Sequence, residues 1–180
     1  MNVFVGCSST TNVAKNYLEY ADVISDLIIK NNDNLIAGGR VGIMNQIINN
    51  LDKVNIKSQI ITIEKFSNDI NFNDQATILK NNLERSDEVF GRSNLLIFMP
   101  GGIGTLGELL MALELKRNNN YHFQIIILNI DDYYHDIISF LKMCKKKKML
   151  DDDLNDLFIV CNSLRSLKIE YNKIKLGGLK

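Results

Sequence analysis

The sequence has few of the residues and patterns that mark secreted, zinc-binding or other metal-binding proteins. Its three cysteines, Cys7, Cys144 and Cys161, are odd in number, widely spaced and free of any C-x-x-C pair. That usage is typical of reduced intracellular thiols and argues against a disulfide framework or a zinc site. The two histidines, His122 and His135, form no H-x-x-x-H pattern, so the sequence predicts no metal site.

Long apolar runs and net charge are also lacking. No apolar stretch approaches the length that crosses a bilayer, and a strand pattern starts directly after the initial methionine. We therefore expect a cytoplasmic protein with no signal or transit peptide and no membrane partner. The 21 Lys and Arg residues balance 21 Asp and Glu residues, so no overall field favours nucleic acid as a partner. The single proline and the many Asn, Ile and Lys residues reflect genomic base composition rather than function.

What the sequence does contain is a regular alternation of short apolar runs and helical patterns. The runs predict seven strands, at residues 2–6, 35–37, 58–63, 75–79, 95–99, 123–128 and 157–161. Apolar residues at helical spacing predict helices around residues 17–28, 44–51, 81–93, 105–117, 135–147 and 164–171. This alternation predicts an α/β fold, a Rossmann-like doubly wound parallel sheet with helices on both faces.

Length and composition suit one domain over residues 1–180. The chain has 180 residues, of which 46% are hydrophobic, enough to bury a single sizeable core. Residues 64–74, between the third and fourth predicted strands, are expected to be a polar surface loop poor in aromatic residues. We expect the tail, residues 173–180, to be frayed.

The most informative segment is residues 100–108, Pro-Gly-Gly-Ile-Gly-Thr-Leu-Gly-Glu, which joins a predicted strand to a predicted helix. In a strand–glycine–helix arrangement, backbone N–H groups converge on an anion at the helix N-terminus. Thr105 and Glu108 also have the spacing of a capping box, which predicts that the helix begins at Thr105. Glu108 therefore either caps this helix or places a functional carboxylate beside an anion site.

Two other turns follow predicted strands in the same way. Ser8 and Ser9 end the first strand and offer hydroxyl groups at a helix N-terminus, although Ser and Thr in such positions also serve as ordinary N-caps. The turn that contains Gly39 and Gly42 is a weak match to a dinucleotide fingerprint, and close helix packing explains Gly42 equally well. All three turns should meet at the carboxyl edge of the sheet, which predicts a nucleotide or sugar-phosphate site there.

Arg85 lies on the helix predicted for residues 81–93. Leu83 and Phe90 are seven residues apart and mark the apolar face of this helix, whereas Arg85 is expected off that face, together with Val89. A solvated ion pair between Arg85 and Glu88 is the simplest role that the spacing offers.

The glycine segment matches the PGGxGTxxE signature of the LOG-like family, the cytokinin riboside 5′-monophosphate phosphoribohydrolases long mislabelled lysine decarboxylases. Four further segments resemble family motifs in the same order. They are residues 4–9 (the opening strand and serine turn, with Gly6 and Cys7 reversed), residues 38–44 (GGxxGLM), Glu84-Arg85 (the E-R of HERK) and residues 128–134 (LNVDGYY). The resemblance extends over nearly the whole chain.

This resemblance implies hydrolysis of a purine or N6-modified adenosine 5′-monophosphate to the free base and ribose 5-phosphate, with no metal or organic cofactor. The family's essential pair corresponds to Arg85 and Glu108. The carboxylate would stabilise positive charge on the ribose or position a water, and the guanidinium would hold phosphate or ribose oxygens. The other expected substrate-binding residues are Ser8, Ser9, Gly39, Gly101, Gly102, Ile103, Gly104 and Thr105. The resemblance also implies a homodimer whose boundary lies near the helix of Arg85.

Four departures from the family pattern bear on the ligand. Ser86 replaces a lysine, and Gly107 replaces the first residue of a Glu-Glu pair. Glu114 replaces a threonine, which is expected to put negative charge near the nucleotide. The segment 64–74 is shorter than usual and lacks the family's P-R-E sequence. These changes leave Arg85 and Glu108 in place but alter the expected phosphate affinity and base choice.

Two functions of other classes therefore stay open. The chain also suits a nucleotide or molybdenum-cofactor carrier that binds through the same glycine turns without turnover. A non-catalytic interaction protein that keeps the fold for structural reasons is the other alternative. A pyridoxal phosphate decarboxylase is disfavoured because nothing resembles a Schiff-base lysine motif.

Overall fold

A parallel β-sheet forms the centre of the computed structural model, which describes residues 1–70, 75–118 and 121–177. The strands, in chain order, are β1 (Asn2–Gly6), β2 (Asn34–Ala37), β3 (Gln59–Ile63), β4 (Gln75–Leu79), β5 (Leu95–Phe98), β6 (Gln124–Leu128) and β7 (Ile159–Cys161). They lie in the order β4-β3-β2-β1-β5-β6-β7, and every neighbouring pair is parallel. The chain moves outward from β1 to β4 and then returns to β5 beside β1. Ligands bind at such a switch point in doubly wound sheets.

Helices cover both faces of this sheet. They are α1 (Lys15–Asn31), α2 (Gly42–Asp52), α3 (Asn82–Arg92), α4 (Ile103–Arg117), α5 (His135–Lys146), α6 (Leu154–Leu157) and α7 (Leu164–Gly177). Val3 and Val5 of β1 pack with α1, α2 and α7, whereas Phe4 points to the other face and packs with α3 and α4. This alternation is the period-two pattern of a strand buried on both sides, and it confirms the α/β, Rossmann-like prediction.

All seven predicted strands are present, including residues 75–79, but several local predictions were wrong. Residues 64–69 form a 3₁₀ helix instead of an irregular loop, and Phe66 in it is 46% exposed. Residues 71–74 of that predicted loop lie outside the described residues. Residues 173–177 continue α7 instead of fraying, because Lys175 donates hydrogen bonds to the Asn31 carbonyl and the Asp33 carboxylate. Residues 178–180 lie outside the described residues.

Helix α3 buries Phe90, as predicted, but the rest of its buried face differs from the prediction. Ser86, Val89 and Phe90 are buried, whereas Leu83 is 69% exposed. Asn81 caps the helix, since its side-chain oxygen accepts from the backbone N–H groups of residues 83 and 84. The buried face of α3 points Arg85 and Ser86 towards the carboxyl edge of the central strands, where the candidate site lies.

Backbone hydrogen bonds join the turns that follow β1, β2 and β5. The Ser8 N–H donates to the Pro100 carbonyl at 3.2 Å, and the Ile43 N–H donates to the Ser8 carbonyl at 3.1 Å. Gly42 has φ +57°, and a Cβ there would overlap the Ser8 backbone. The close packing expected at Gly42 is therefore present, but against the turn after β1 rather than against a strand.

Candidate active site

A cavity of about 820 Å³ opens at the carboxyl edge of the sheet, between the three turns and the cavity-facing sides of α3 and α4. Nine of the ten residues predicted for the site line it, namely Ser8, Ser9, Gly39, Arg85, Gly102, Ile103, Gly104, Thr105 and Glu108. Gly101 is not part of the lining. Its carbonyl accepts a hydrogen bond from the Tyr133 hydroxyl at 2.6 Å. A role for Gly101 in binding the substrate stays a prediction.

The N-terminus of α4 faces this cavity without a side-chain cap. The helix begins at Ile103, two residues before the predicted start, and Gly102 is its N-cap. The capping-box prediction is wrong because the Thr105 hydroxyl donates to the Cys7 carbonyl at 3.1 Å, which ties α4 to the turn after β1. The first N–H groups of a helix have no intrahelical partner, so an uncapped end such as this one can bind an anion.

Arg85 and Glu108 form an ion pair across the cavity, between α3 and α4. The guanidinium Nη1 donates to Oε1 of Glu108, and Nε donates to the Ile61 carbonyl at 3.0 Å. Both side chains are largely shielded from solvent, with 14% of Arg85 and 17% of Glu108 exposed. The expected surface pair with Glu88 does not form, since Glu88 pairs with Arg92.

Gly38 provides the space that the Arg85 guanidinium occupies. A Cβ built on Gly38 would overlap Nη2 of Arg85 and lie 3.3 Å from its Cζ. The turn after β2 therefore takes part in the site through the absence of a side chain. Three separate elements position the guanidinium: the helix that carries it, the Ile61 carbonyl of β3 and the glycine turn after β2.

Cys7 lies in the lining close to this ion pair. Burial, and secondarily the negative charge of Glu108, raise the pKa of the Cys7 thiol to about 12. A thiol with so high a pKa stays protonated at neutral pH and is a poor nucleophile. The side chain therefore contributes neutral surface beside the Arg85–Glu108 ion pair.

The family departures at Ser86, Gly107 and Glu114 have different structural consequences. Ser86 and Gly107 line the cavity from α3 and α4. Glu114 lies outside the lining, is 59% exposed and accepts hydrogen bonds from Arg117 and Asn118. The expectation of negative charge near the ligand from Glu114 is therefore wrong, because this carboxylate faces solvent one turn beyond Met111.

Several lining residues were missed by sequence reasoning. These residues are Phe4, Val41, Met44, Phe66, Asn82 and Met111. Asn82 could have been found, since it begins a helix directly after a strand and one helical turn before Arg85. Phe66 lies in the segment dismissed as a polar loop, although its aromatic side chain was visible in the sequence.

The lining does not fit a resident metal or pyridoxal phosphate. In the described ranges, no group of three or more His, Cys, Asp or Glu side chains lies close enough to hold a metal ion. No lysine occurs among the described residues that line the cavity, whereas pyridoxal phosphate enzymes hold their cofactor through a lysine Schiff base. None of the described helices is long and apolar enough to cross a membrane.

A family model described as "Possible lysine decarboxylase" matches residues 30–169. The chain belongs to this family, the LOG family. It is 23% identical over 177 residues to "Probable cytokinin riboside 5'-monophosphate phosphoribohydrolase LOGL6" of Oryza sativa subsp. japonica. This match covers 92% of this chain and 68% of the relative. It is 22% identical over 172 residues to "Cytokinin riboside 5'-monophosphate phosphoribohydrolase LOG4" of Arabidopsis thaliana. This match covers 92% of this chain and 79% of the relative.

A solved structure titled "structure of Moco Carrier Protein from Chlamydomonas reinhardtii" has the same fold as this LOG-family chain. The TM-score is 0.68 at 16% sequence identity, and the match covers 98% of each chain. At this identity the likeness supports the fold alone.

Proposed function

We propose that this LOG-family protein hydrolyses the N-glycosidic bond of a purine nucleoside 5′-monophosphate. The observation that carries the proposal is the Arg85–Glu108 ion pair, held across the cavity beside the uncapped N-terminus of α4. An anion site next to a shielded carboxylate suits a substrate that has a phosphate at one end and develops positive charge nearby. The names of the two relatives, both phosphoribohydrolases of a riboside 5′-monophosphate, support the same chemistry.

The phosphate would bind at the start of α4. Gly102 provides no side chain to cap this end, and a Cβ on Gly104 would meet no atom within 4 Å, so a ligand oxygen can approach the backbone closely. The helix dipole favours negative charge at this end. Ser8 and Ser9 face the same space from the turn after β1 and would add hydroxyl donors.

Glu108 would act on the ribose. When the bond between C1′ and the base nitrogen breaks, the electron pair leaves with the base and the ribose gains oxocarbenium character. A carboxylate beside C1′ stabilises this charge and can accept a proton from the attacking water, whose oxygen bonds to C1′. The released base takes up a proton, so the products are free base and ribose 5-phosphate.

Arg85 would fix the position of Glu108 and hold substrate oxygens. Its contacts with Ile61 and Glu108 use two of the five guanidinium N–H groups, and the planar fork can direct others to ribose or phosphate oxygens. Lysine has neither this geometry nor this number of donors. The arrangement explains why Gly38 has no side chain to displace the guanidinium.

The finer proposal is that N6-substituted AMP, the cytokinin type of nucleotide, is a substrate. The cavity volume of about 820 Å³ lies in the upper part of the range of roughly 300–1,000 Å³ that is typical of small-molecule sites. Apolar side chains at Phe66 and Met111 line it alongside the polar groups. A nucleotide with an apolar substituent on its base would fill more of this space than AMP itself.

The proposal is tested by product analysis after incubation with AMP and with isopentenyladenosine monophosphate. We expect the wild type to release base and ribose 5-phosphate in equal amounts, and Glu108→Gln and Arg85→Lys to lose at least about a hundredfold in rate. Glu114→Gln is the matched control, because it neutralises an exposed carboxylate on the same helix. Equal rates in Glu108→Gln and Glu114→Gln would contradict the proposed role of Glu108.

A second candidate is a nucleotide or molybdenum-cofactor carrier that binds in the same cavity without turnover. Position 86 favours it, because a serine stands there in place of the lysine of the family pattern. The solved structure titled a Moco carrier protein shares the fold. Tight binding of AMP or a pterin without product release would select this candidate, and no binding of either would select a scaffold role.

We also propose a homodimer formed through the two helices that flank the cavity. Leu83 on α3 is 69% exposed and Leu110 on α4 is 45% exposed, so each helix offers an apolar side chain that a second copy could bury. Light scattering after size exclusion should give twice the chain mass for the wild type. Leu83→Glu should shift it to monomer, and an unchanged mass in this variant would contradict the proposed interface.

A further inference from the structure

The cavity continues along the gap between α3 and α4, past the Arg85–Glu108 pair. Its lining on α4 runs from Ile103 to Met111, which is roughly 12 Å along the helix at 1.5 Å per residue. A phosphate at the helix N-terminus needs only the first turn. A further part of the ligand is therefore needed to fill the inner part of the cavity.

Gly107 is a helix-interior glycine that the protein itself does not require. It has no positive φ, and a Cβ built on it would meet no atom within 4 Å. Glycine in the middle of a helix is less stable than alanine. What the missing Cβ does is widen the cavity, since Gly107 is part of its lining.

Ser86 faces the same inner space from α3. Its residue is 4% exposed, and no hydrogen bond of its hydroxyl is found within the described ranges. The buried serines Ser25 and Ser93 differ, because their hydroxyls donate to carbonyls four residues earlier at 2.8 and 2.7 Å. A hydroxyl on the cavity lining that makes no hydrogen bond to the described residues is suited to a ligand group.

We infer that the gap between Ser86 and Gly107 receives the base of the nucleotide, an inference that rests on the proposed function. If the phosphate lies at the start of α4 and the ribose lies beside Glu108, the base extends from C1′ into this gap. A flat ring can lie against the bare α4 backbone at Gly107. The Ser86 hydroxyl then hydrogen-bonds a ring nitrogen or exocyclic group, and both residues determine base specificity.

The test compares binding of AMP with binding of ribose 5-phosphate, which has no base, by titration calorimetry. Gly107→Ala should raise the thermal midpoint of unfolding, weaken AMP binding by about tenfold or more through overpacking against the ring, and leave ribose 5-phosphate unchanged. Gly91→Ala is the matched control. Its Cβ would lie 3.5 Å from the Tyr121 ring in ordinary contact, away from the cavity, so neither ligand should be affected.

A second pair of variants tests the hydroxyl. Ser86→Ala should weaken AMP binding several-fold without loss of thermal stability and without effect on ribose 5-phosphate. Ser93→Ala should instead lower the thermal midpoint, because it removes a hydrogen bond to Val89, and leave both ligands bound as before. The ratio of AMP to GMP affinity should also change in Ser86→Ala but not in Ser93→Ala.

Wild-type AMP affinity in Gly107→Ala, or equal weakening of AMP and ribose 5-phosphate, would overturn the inference. The proposed hydrolase activity can fail independently of the proposed base subsite. If AMP is never cleaved but the binding pattern holds, the base subsite stands without turnover. If cleavage occurs but the variants show no base-dependent effect, hydrolysis stands without this subsite. A wild type that binds neither ligand overturns both.

Discussion

Replacement of Gly38 by alanine displaces the Arg85 guanidinium without removing any charge from the site. The new methyl group would overlap Nη2 of Arg85, and it would lie 3.3 Å from Cζ and 3.7 Å from Nε. Non-bonded heavy atoms settle at about 3.5–4.0 Å, so the guanidinium must move by roughly 1 Å. Because the overlapping atom is the far end of a flexible side chain, the fold should be kept.

The expected cost falls on catalysis. A displacement of this size breaks the alignment of Arg85 with both Ile61 and Glu108, and misplacement by about 1 Å can lower a rate about a hundredfold. That factor corresponds to about 2.7 kcal/mol of lost transition-state stabilisation. We therefore expect kcat/KM of Gly38→Ala to fall by about two orders of magnitude, with a change in the free energy of unfolding below about 1 kcal/mol.

The assay measures base release from AMP together with urea unfolding of the same preparations. Gly91→Ala is the control, since its methyl group meets only the Tyr121 ring, at 3.5 Å, and should leave kcat/KM unchanged. Wild-type kcat/KM in a folded Gly38→Ala variant would refute the reasoning that the position of the guanidinium matters. A large loss of stability would refute the reasoning that Arg85 can move aside.

Three further predictions concern stability and titration. Tyr171→Phe should lower the free energy of unfolding by about 1.5–3 kcal/mol in urea titrations, because the Tyr171 hydroxyl donates to the fully buried Asp33 carboxylate at 2.8 Å. Thr105→Val should cost about 1 kcal/mol in the same assay, through the lost bond to the Cys7 carbonyl. Burial raises the pKa of Cys7 from 9.0 to about 12. The contribution of this thiol to stability should therefore be complete below pH 9 and fall as the pH rises towards 12. Alkylation of Cys7 by iodoacetamide should stay slow at about pH 8, because little thiolate is present. Glu108→Gln should speed that alkylation, because it removes a negative charge that raises the pKa; an unchanged rate would contradict this.

The strands and the turns of the site were predictable because their causes are local. Alternating and continuous apolar runs predict strands, and glycine or serine after a strand predicts a turn at the carboxyl edge. Parallel topology then brings the turns after β1, β2 and β5 together, and the cavity lies there.

Other features depend on tertiary contacts that a linear pattern does not contain. Thr105 and Glu108 have capping-box spacing, but the Thr105 hydroxyl donates to the Cys7 carbonyl and the Glu108 carboxylate accepts from Arg85. Leu83 appeared to mark the buried face of α3, yet Ser86 and Val89 are buried instead. The family resemblance implied that Arg85 and Glu108 act in the same site, but neither it nor their separation in sequence predicted the ion pair between them.

The most direct measurement is to compare binding and turnover of AMP in Glu108→Gln. We expect this variant to bind AMP within a few-fold of wild type, because the N-terminus of α4 that would hold the phosphate is unchanged. We expect it to release base at least about a hundredfold more slowly, because the charge beside C1′ is gone. Base release at the wild-type rate by a variant that binds AMP normally would contradict the assignment of Glu108 as the catalytic carboxylate.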